Sequence, residues 1–377
     1  SNSDNWMIIL KKRKPIIITL LLLLSVLFEE WSIGSIYERV FCWRMNRYSQ
    51  VVQIPITAMR AENSPSIAMV VIVDDYTHFE EYGLAFSTLH CYAAIHNYPL
   101  HILNTAANGT WSILCPQMDF MFHRHCILRH LLDVLREEWV LFLDADMAVI
   151  NPNRLLEEFL PSDLSTHIVF YDRIMNQEIA SGSYIVRNSD FSRRFLNHWA
   201  DSFYSMPKSF HGTDNGAIHM ALLEFSLSNV KHDKCMGLWR RSRSFATLAD
   251  YTVCTRSLMA GRSLEGIEIR NKRDPQRWVR DGWITDSIWS SNDFLLHGWQ
   301  KKHLDKIRFA RWHSPLASPL NVGVAPSGSP ITVGLAAYCR KAGRDASHLW
   351  AYKDSFIGTE DYVKKRLEKE IVEIITQ

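Results

Sequence analysis

The sequence has no Cys-x-x-Cys pair and no other spacing suited to zinc, although it carries seven cysteines in 377 residues. That absence argues against metal ligation by thiolates. It leaves structural disulfides as the expected use of Cys42, Cys91, Cys115, Cys126, Cys235, Cys254 and Cys339. Seven is odd, so one cysteine is free or bridges two chains, and Cys42 is the candidate for a disulfide-linked dimer. Charge of one sign is also lacking. Lys and Arg number 42 against 40 Asp and Glu, a net charge of +2, and no run of interleaved basic and aromatic residues occurs in the body of the chain. Nucleic acid is therefore excluded as a partner. No internal repeat is found. At 47% hydrophobic and 22% charged residues the chain is globular, with enough apolar material for one large core or two small ones.

The amino end has its own character. Lys11-Lys-Arg-Lys14 precedes Pro15 and the apolar run Ile16–Phe28, broken only by Thr19 and Ser25. A basic cluster ahead of an apolar stretch keeps the cluster cytoplasmic and sends the remainder across the membrane. At 1.5 Å per residue, residues 15–28 reach about 21 Å, short of a ~30 Å hydrocarbon core. A signal-peptide h-region and an uncleaved anchor running on towards Ile36 both remain open, with the anchor preferred. Either places the body in the secretory pathway. Asn108-Gly-Thr110, the only Asn-x-Ser/Thr acceptor in the chain, agrees with a lumenal glycoprotein. The expected organisation is a cytoplasmic tail (1–14), a signal-anchor transmembrane segment (15–28), a stem (29–65), a catalytic domain (66–313), and a loop with a C-terminal helical extension (314–377).

Within the body, Ile67–Val73 is a continuous apolar run ending in Asp74-Asp75, the pattern of a buried strand. Helical spacing of Tyr82, Phe86, Leu89, Ala93 and His96 follows, then a short strand at 100–103, giving a βαβ unit. A helix over 120–136 leads to Trp139-Val-Leu-Phe-Leu-Asp-Ala-Asp146, an apolar strand ending in two carboxylates. Further strands are expected at 166–171 and 183–187, helices at 190–203 and 213–223, a loop at 314–330, and a last helix with a Val363, Leu367, Ile371, Ile374 stripe. This alternation predicts an α/β fold with a single, mostly parallel, Rossmann-like sheet flanked by helices. Open sheets of this kind bind ligands beyond the carboxyl ends of their strands. Asp144 and Asp146, at i and i+2 of an extended segment, point the same way and suit a hard divalent cation that keeps room for phosphate oxygens.

In this order of parts the chain resembles the nucleotide-sugar-dependent glycosyltransferases of the GT-A fold. It resembles in particular the family 34 galactosyl- and mannosyltransferases and a nematode family of unknown function, over about Ile67 to Lys302. The matching segments are Tyr92–Tyr98, Arg124–Arg129, Leu143-Asp-Ala-Asp146, Ser181–Asn188 and Thr213-Asp-Asn-Gly216. The resemblance implies a metal-dependent hexosyltransferase of the Golgi membrane, single-pass type II with a lumenal domain. It would take a UDP- or GDP-hexose donor and a glycan or glycoprotein acceptor, and would retain anomeric configuration. Asp144 and Asp146 would hold Mn²⁺ or Mg²⁺, with His297 as third ligand. The segment His297-Gly-Trp-Gln-Lys-Lys302 would bring Gly298, Lys301 and Lys302 to the phosphates, Arg124 would reach the diphosphate, and Asp74, Asp75 or Tyr76 would meet the base and ribose. Asp214 and Asn215 would bind sugar hydroxyls as the catalytic pair. The chain departs from the family at Ala180-Ser181-Gly182 and Asp214-Asn215, so sugar preference does not carry over.

Two other classes compete. One is a catalytically inactive lumenal protein of the same fold that binds glycan or a partner transferase. The other is a metal-dependent phosphohydrolase, for which no additional carboxylate or histidine cluster to activate water is evident. His123 and His125 lie about 200° apart around a helix and cannot share one ion. Trp278, Trp283, Trp289, Trp299 and Trp312 read mainly as core, with a sugar-stacking cleft as the alternative.

Overall fold

The computed structural model describes residues 50–75, 79–106, 109–304, 313–317, 332–343, 345 and 350–376. Residues 15–28, Cys42, Tyr76, Asn108 and Trp312 lie outside these, and with them the expectations placed there. No helix among the described residues is long and apolar enough to cross a membrane. Val51–Tyr352 with Phe356–Gln377 form one compact unit, described below; residues 1–50 with 353–355 group separately.

The chain runs β1 (Ile67–Val73), α1 (Phe79–His96), β2 (Leu100–Asn104), α2 (Phe120–Leu131), β3 (Trp139–Leu143), β4 (Met147–Val149), β5 (Ile168–Tyr171) and β6 (Ser183–Arg187). It continues through α3 (Asp190–Asp201), α4 (Thr213–Ser226), α5 (Asp233–Arg241), α6 (Phe245–Met259), β7 (Ile267–Arg270), β8 (Val279–Asp281), β9 (Leu295–His297), α7 (Thr332–Ala342) and α8 (Glu360–Thr376). Six strands form the main sheet in the order β2-β1-β3-β6-β5-β7. The pairs β1–β2, β1–β3 and β5–β7 are parallel, whereas β6 runs antiparallel to both β3 and β5. The expected α/β architecture is therefore present, with one reversed strand inside a mostly parallel sheet.

The apolar runs are continuous because both sheet faces are covered. Met69, Val71, Leu141, Leu143 and Ile185 join one core with α1, and Val70, Ile72, Val140, Phe142 and Val186 join the other with α2, α3 and α4. Helix α2 stops at Leu131, short of the expected Arg136. Asp133 N and Val134 N turn back to His130 O and Leu131 O, three residues away, which tightens the chain before β3. Helix α3 is capped by Ser189, whose hydroxyl accepts from Ser192 N, a cap of about 1 kcal/mol.

Six of the cysteines pair as Cys91–Cys339, Cys115–Cys126 and Cys235–Cys254. The first joins α1 to α7, and Trp350 Nε1 donates to Val149 O at 3.0 Å, so the C-terminal segment shares the core of the sheet. A second, three-stranded sheet, β4-β9-β8, has strands of only three residues, and of these the apolar run before His297 alone reads as a strand in the sequence. Helices α5 and α6 were likewise unforeseen. Trp278, Trp289 and Trp299 are fully buried, as core packing predicts, while Trp283 is half-buried.

Among the described residues two histidines are fully buried: His125, stacked on Trp199 with centroids 3.6 Å apart, and His219, against Thr255. Burial pushes their pKa values down to about 4 and about 3. Both are neutral in the folded chain and take up protons on unfolding once the pH falls below about 6.5. Stability is thus full above that pH and declines towards pH 4, by up to about 1.4 kcal/mol per pH unit for each group. Urea midpoints at pH 7 and pH 4.5 measure this, and equal midpoints would refute it.

Candidate metal and nucleotide site

The carboxylates of Asp144 and Asp146 follow directly from β3 and lead into β4. The register of the small sheet brings the rest: His297 on β9 stands opposite Met147 of β4 and beside Asp281 of β8. The backbone then locks this crossing, since Gly298 N and Trp299 N both donate to Asp146 O, at 3.0 and 2.9 Å. Gly298 adopts φ +112°, which a residue with a Cβ rarely tolerates. One ligand atom from each of Asp144, Asp146 and His297 falls within 4.8 Å of the other two. The chain thus collects two carboxylates and an imidazole from distant segments at one strand end.

Two rows of alternating charge converge there. In the first, Arg124 from α2 spans Asp144 and Asp214, its distance to Asp214 being 2.5 Å, and His125 Nε2 lies 3.1 Å from the same Asp214 oxygen. In the second, His297 Nε2 is 3.2 Å from Asp146 and Nδ1 is 2.7 Å from Asp281, which Arg173 holds at 3.0 Å; Arg173 also meets Glu178 at 3.4 Å. Gln300 Nε2 donates to the second oxygen of Asp146 at 2.8 Å. Burial pushes the Asp144 carboxyl above its ordinary range and Asp146 adds to this, while Arg124 opposes it. Burial would raise Asp146 too, but the charge of His297 and the bonds from His297 and Gln300 hold it low. Burial disfavours a charge on His297, yet Asp146 and then Asp281 lift its pKa to about 10.

These residues fit a divalent cation. Asp281 accepts from Nδ1–H of His297 and so directs Nε2 towards the aspartates, the usual support of a metal-binding imidazole. Counting both rows, five carboxylates face three cations, so two negative charges stay uncompensated. Ligation requires His297 to give up its Nε2 proton. The group Cys115, Cys126 and His130 also has metal-like spacing, but its cysteines form a disulfide and offer no thiolate.

The remaining expected residues take varied places. Asp74 and Asp75 end β1, with Asp75 N bonded to Asp74 Oδ1 at 2.9 Å. The Tyr82 hydroxyl, pushed up to about 12 by burial first and then by Asp146, Asp74 and Asp144, marks Asp74 as a neighbour of the cluster. Arg124 is buried, with its side chain on Asp144 and Asp214. Asp214 is fully buried, and its oxygens serve Arg124, His125, Thr213 and Asn215 N; it stands behind Asp144 as the partner of Arg124. Asn215 Oδ1 accepts from Ser181 N at 3.3 Å and lines a cleft of about 80 Å³ together with Asp144 and His297. Lys301 and Lys302 are exposed on a turn whose amides bond to Glu81, and Lys301 Nζ lies 3.4 Å from Glu80.

Sequence reasoning missed Asp281, Gln300, Arg173 and the role of Gly182. Only Gln300 carried a signal, three residues after His297. Gly182 supports Asp144, whose amide donates to Gly182 O at 2.7 Å. A Cβ on Gly182 would stand 2.1 Å from Asp144 Oδ2, so the carboxylate would have to move. Gly182→Ala is expected to keep the fold and weaken Mn²⁺ binding at least about tenfold, as displaced metal ligands and their supports do. Manganese titration followed by electron paramagnetic resonance reads this, and unchanged affinity would exclude the role given to Gly182.

No curated protein matches the chain. Among solved structures, a glycosyltransferase involved in the glycosylation of the major capsid of PBCV-1 is similar at 12% identity and a TM-score of 0.37, covering 62% of this chain and 93% of that one. The glycosyltransferase GlyE of Streptococcus pneumoniae TIGR4 is similar at 14% identity and a TM-score of 0.29, covering 52% of this chain and 64% of GlyE. Its apo form gives 15%, 0.31, 54% and 65%. Scores of this size leave function to be argued from the side chains. A family model described as "Protein of unknown function, DUF273" matches residues 89–312, more than half of the chain and the whole of the Asp144, Asp146, His297 group. The chain belongs to the DUF273 family.

Proposed function

We propose that the chain is a metal-dependent glycosyltransferase of the GT-A type. It moves a hexose from a nucleotide-diphosphate sugar, UDP- or GDP-linked, to a glycan acceptor with retention of configuration. The observation that carries this reading is the meeting of Asp144, Asp146 and His297 at the end of β3, with Asp281 orienting the imidazole. The sequence resemblance to the family 34 enzymes names the same three residues.

A bound Mn²⁺ or Mg²⁺ supplies Lewis-acid neutralisation of the diphosphate leaving group. Asp144, Asp146 and His297 hold the ion, and Arg124 and Gln300 fix the two aspartates. Asp74 and Asp75, with Tyr76, receive the nucleoside at the end of β1. Lys301 and Lys302 are point charges for the phosphates, on a turn that the backbone of Gly298 sets against Asp146. Asn215 faces the cleft where the sugar would lie, and Asp214 keeps Arg124 in place beside Asp144.

Calorimetry with UDP and GDP in the presence and absence of Mn²⁺, followed by a panel of their sugars, tests the reading. Metal-dependent binding is expected, and Asp146→Ala should remove it. Turnover should fall by roughly 10²–10³, the usual loss for one preorganised charge partner. His297→Ala combined with Asp146→Ala should cost little more than either alone, because both act through one ion. Strictly additive losses would separate His297 from the site. Metal-dependent binding with no release of nucleoside diphosphate in any assay would favour the catalytically inactive form instead.

The compartment proposed is the Golgi lumen, with residues 15–28 as signal-anchor and Cys42 available for a second chain. Three intramolecular disulfides agree with an oxidising environment. Glycosidase treatment should shift the mass of the wild type but not of Asn108→Gln, and protease access to residues 66–377 in intact microsomes would overturn the topology.

A further inference from the structure

The cleft of about 80 Å³ beside Asp144 and His297 is also lined by Arg173 and Arg277. Arg277 enters it from the loop before β8. The guanidinium is half-buried, its Nε donates to Asp274 O at 3.3 Å, and it forms no ion pair among the described residues. Of the carboxylates near it, Asp293 is gripped through both oxygens by Arg280 at 2.6 and 2.9 Å, Asp274 accepts from Gln276 N at 2.8 Å, and Asp172 is held by Arg256 at 2.8 Å through one oxygen while its other oxygen is buried without a hydrogen bond. Among the other neighbours of Arg277 are the cations Arg173, Arg280 and Lys272, whose buried ammonium donates to the carbonyl oxygens of Arg173 and Asn176, and the same cleft also holds Asp144 and Asp281. Burial first, and then the charge of Arg280, pull the pKa of Arg277 below its ordinary value, yet a guanidinium stays cationic at any physiological pH. A half-buried guanidinium that no carboxylate pairs directly gains from an anion that brings two acceptor oxygens to its free N–H groups.

The sheet order says which part of a ligand reaches it. Strand β1, where Asp74 and Asp75 would meet a nucleoside, lies on one side of β3. Strands β6 and β5, whose ends contribute Gly182 and Tyr171 to the cleft, lie on the other. With the diphosphate over β3, the group facing Arg277 belongs to the sugar side of the reaction. Arg277 also lines a wider cleft of about 720 Å³ against α8, so a saccharide at Arg277 has room to continue.

We infer that Arg277 is a specificity-determining residue that binds an oxyanion, the carboxylate or phosphate of an acidic sugar, in the cleft beside the metal site. A planar fork of N–H donors matches either oxyanion through paired hydrogen bonds. The inference rests on the proposed transferase reading for which end of the ligand it meets. Whether the anion is carried by the donor or by the acceptor is for the experiment to separate.

The test uses the full lumenal chain with Mn²⁺. UDP-glucuronate is compared with UDP-glucose by calorimetry, which reads a donor-borne anion. Glucuronate, glucose 6-phosphate and glucose are then compared by tryptophan fluorescence, with and without UDP, which reads an acceptor-borne anion. At least a tenfold preference for the acidic probe is expected in one arm. Arg277→Gln should abolish it, and Arg277→Lys should keep part of it, while the affinity for Mn²⁺ and UDP and the urea midpoint stay unchanged. No preference in either arm, with UDP binding intact, overturns the inference and leaves the transferase reading standing. Loss of stability together with all binding in Arg277→Gln also overturns it, by making Arg277 a structural partner of Asp172. An Arg277-dependent preference for glucuronate in a protein that does not bind UDP would uphold the oxyanion site and sink the transferase reading.

Discussion

Everything at the candidate site depends on how buried carboxylates are compensated at the end of β3. Asp214, Arg124 and Asp144 form one alternating row, and Asp146, His297, Asp281 and Arg173 form another. Each row is tolerable in a low-dielectric interior because every charge has an opposite neighbour. Where the rows meet, Asp144, Asp146 and His297 bring one ligand atom each to within 4.8 Å of the others. Their pKa values diverge accordingly, Asp144 upwards through burial and the charge of Asp146, Asp146 downwards through His297 and Gln300. A divalent ion at that junction relieves the repulsion that the protein alone leaves in place.

The geometry that creates the junction is divided between two sheets. The main sheet delivers the aspartates at the end of a strand buried on both faces, and α2 delivers Arg124 over one of those faces. The small sheet delivers His297 and Asp281 side by side, one on each of two parallel strands. Close approach is then secured by missing side chains: Gly182 lets the carboxylate of Asp144 lie on the backbone, and Gly298 lets the chain turn back onto Asp146. A methyl group at Gly182 would spread the ligands apart without touching the hydrophobic cores.

The cleft extends the same electrostatic pattern away from the Asp144, Asp146 and His297 group. Arg173 and Arg280 are spoken for by Asp281 and Asp293, whereas Arg277 is not. Rigid neighbours hold this region: the disulfide between α5 and α6 braces the helices packed against α4, and Trp278 Nε1 bonds to Ser183 Oγ at 2.8 Å beside the cleft.

The order of apolar runs determined the α/β class, the buried strands β1 and β3, and the position of Asp144 and Asp146 at a strand end. These follow from local periodicity and from the two-sided burial of the central strands. The odd cysteine count pointed to Cys42, and the three disulfides account for the other six. His297 was legible only through resemblance, since nothing in its local sequence connects it to Asp146. Its pairing with Asp281, the support from Gln300, and the withdrawal of Asp214 behind Arg124 belonged to tertiary structure alone. The reason is physical. Three-residue strands carry too little periodicity to be read, and their register, which puts His297 beside Asp281 and opposite Met147, is set by packing between segments far apart in the chain.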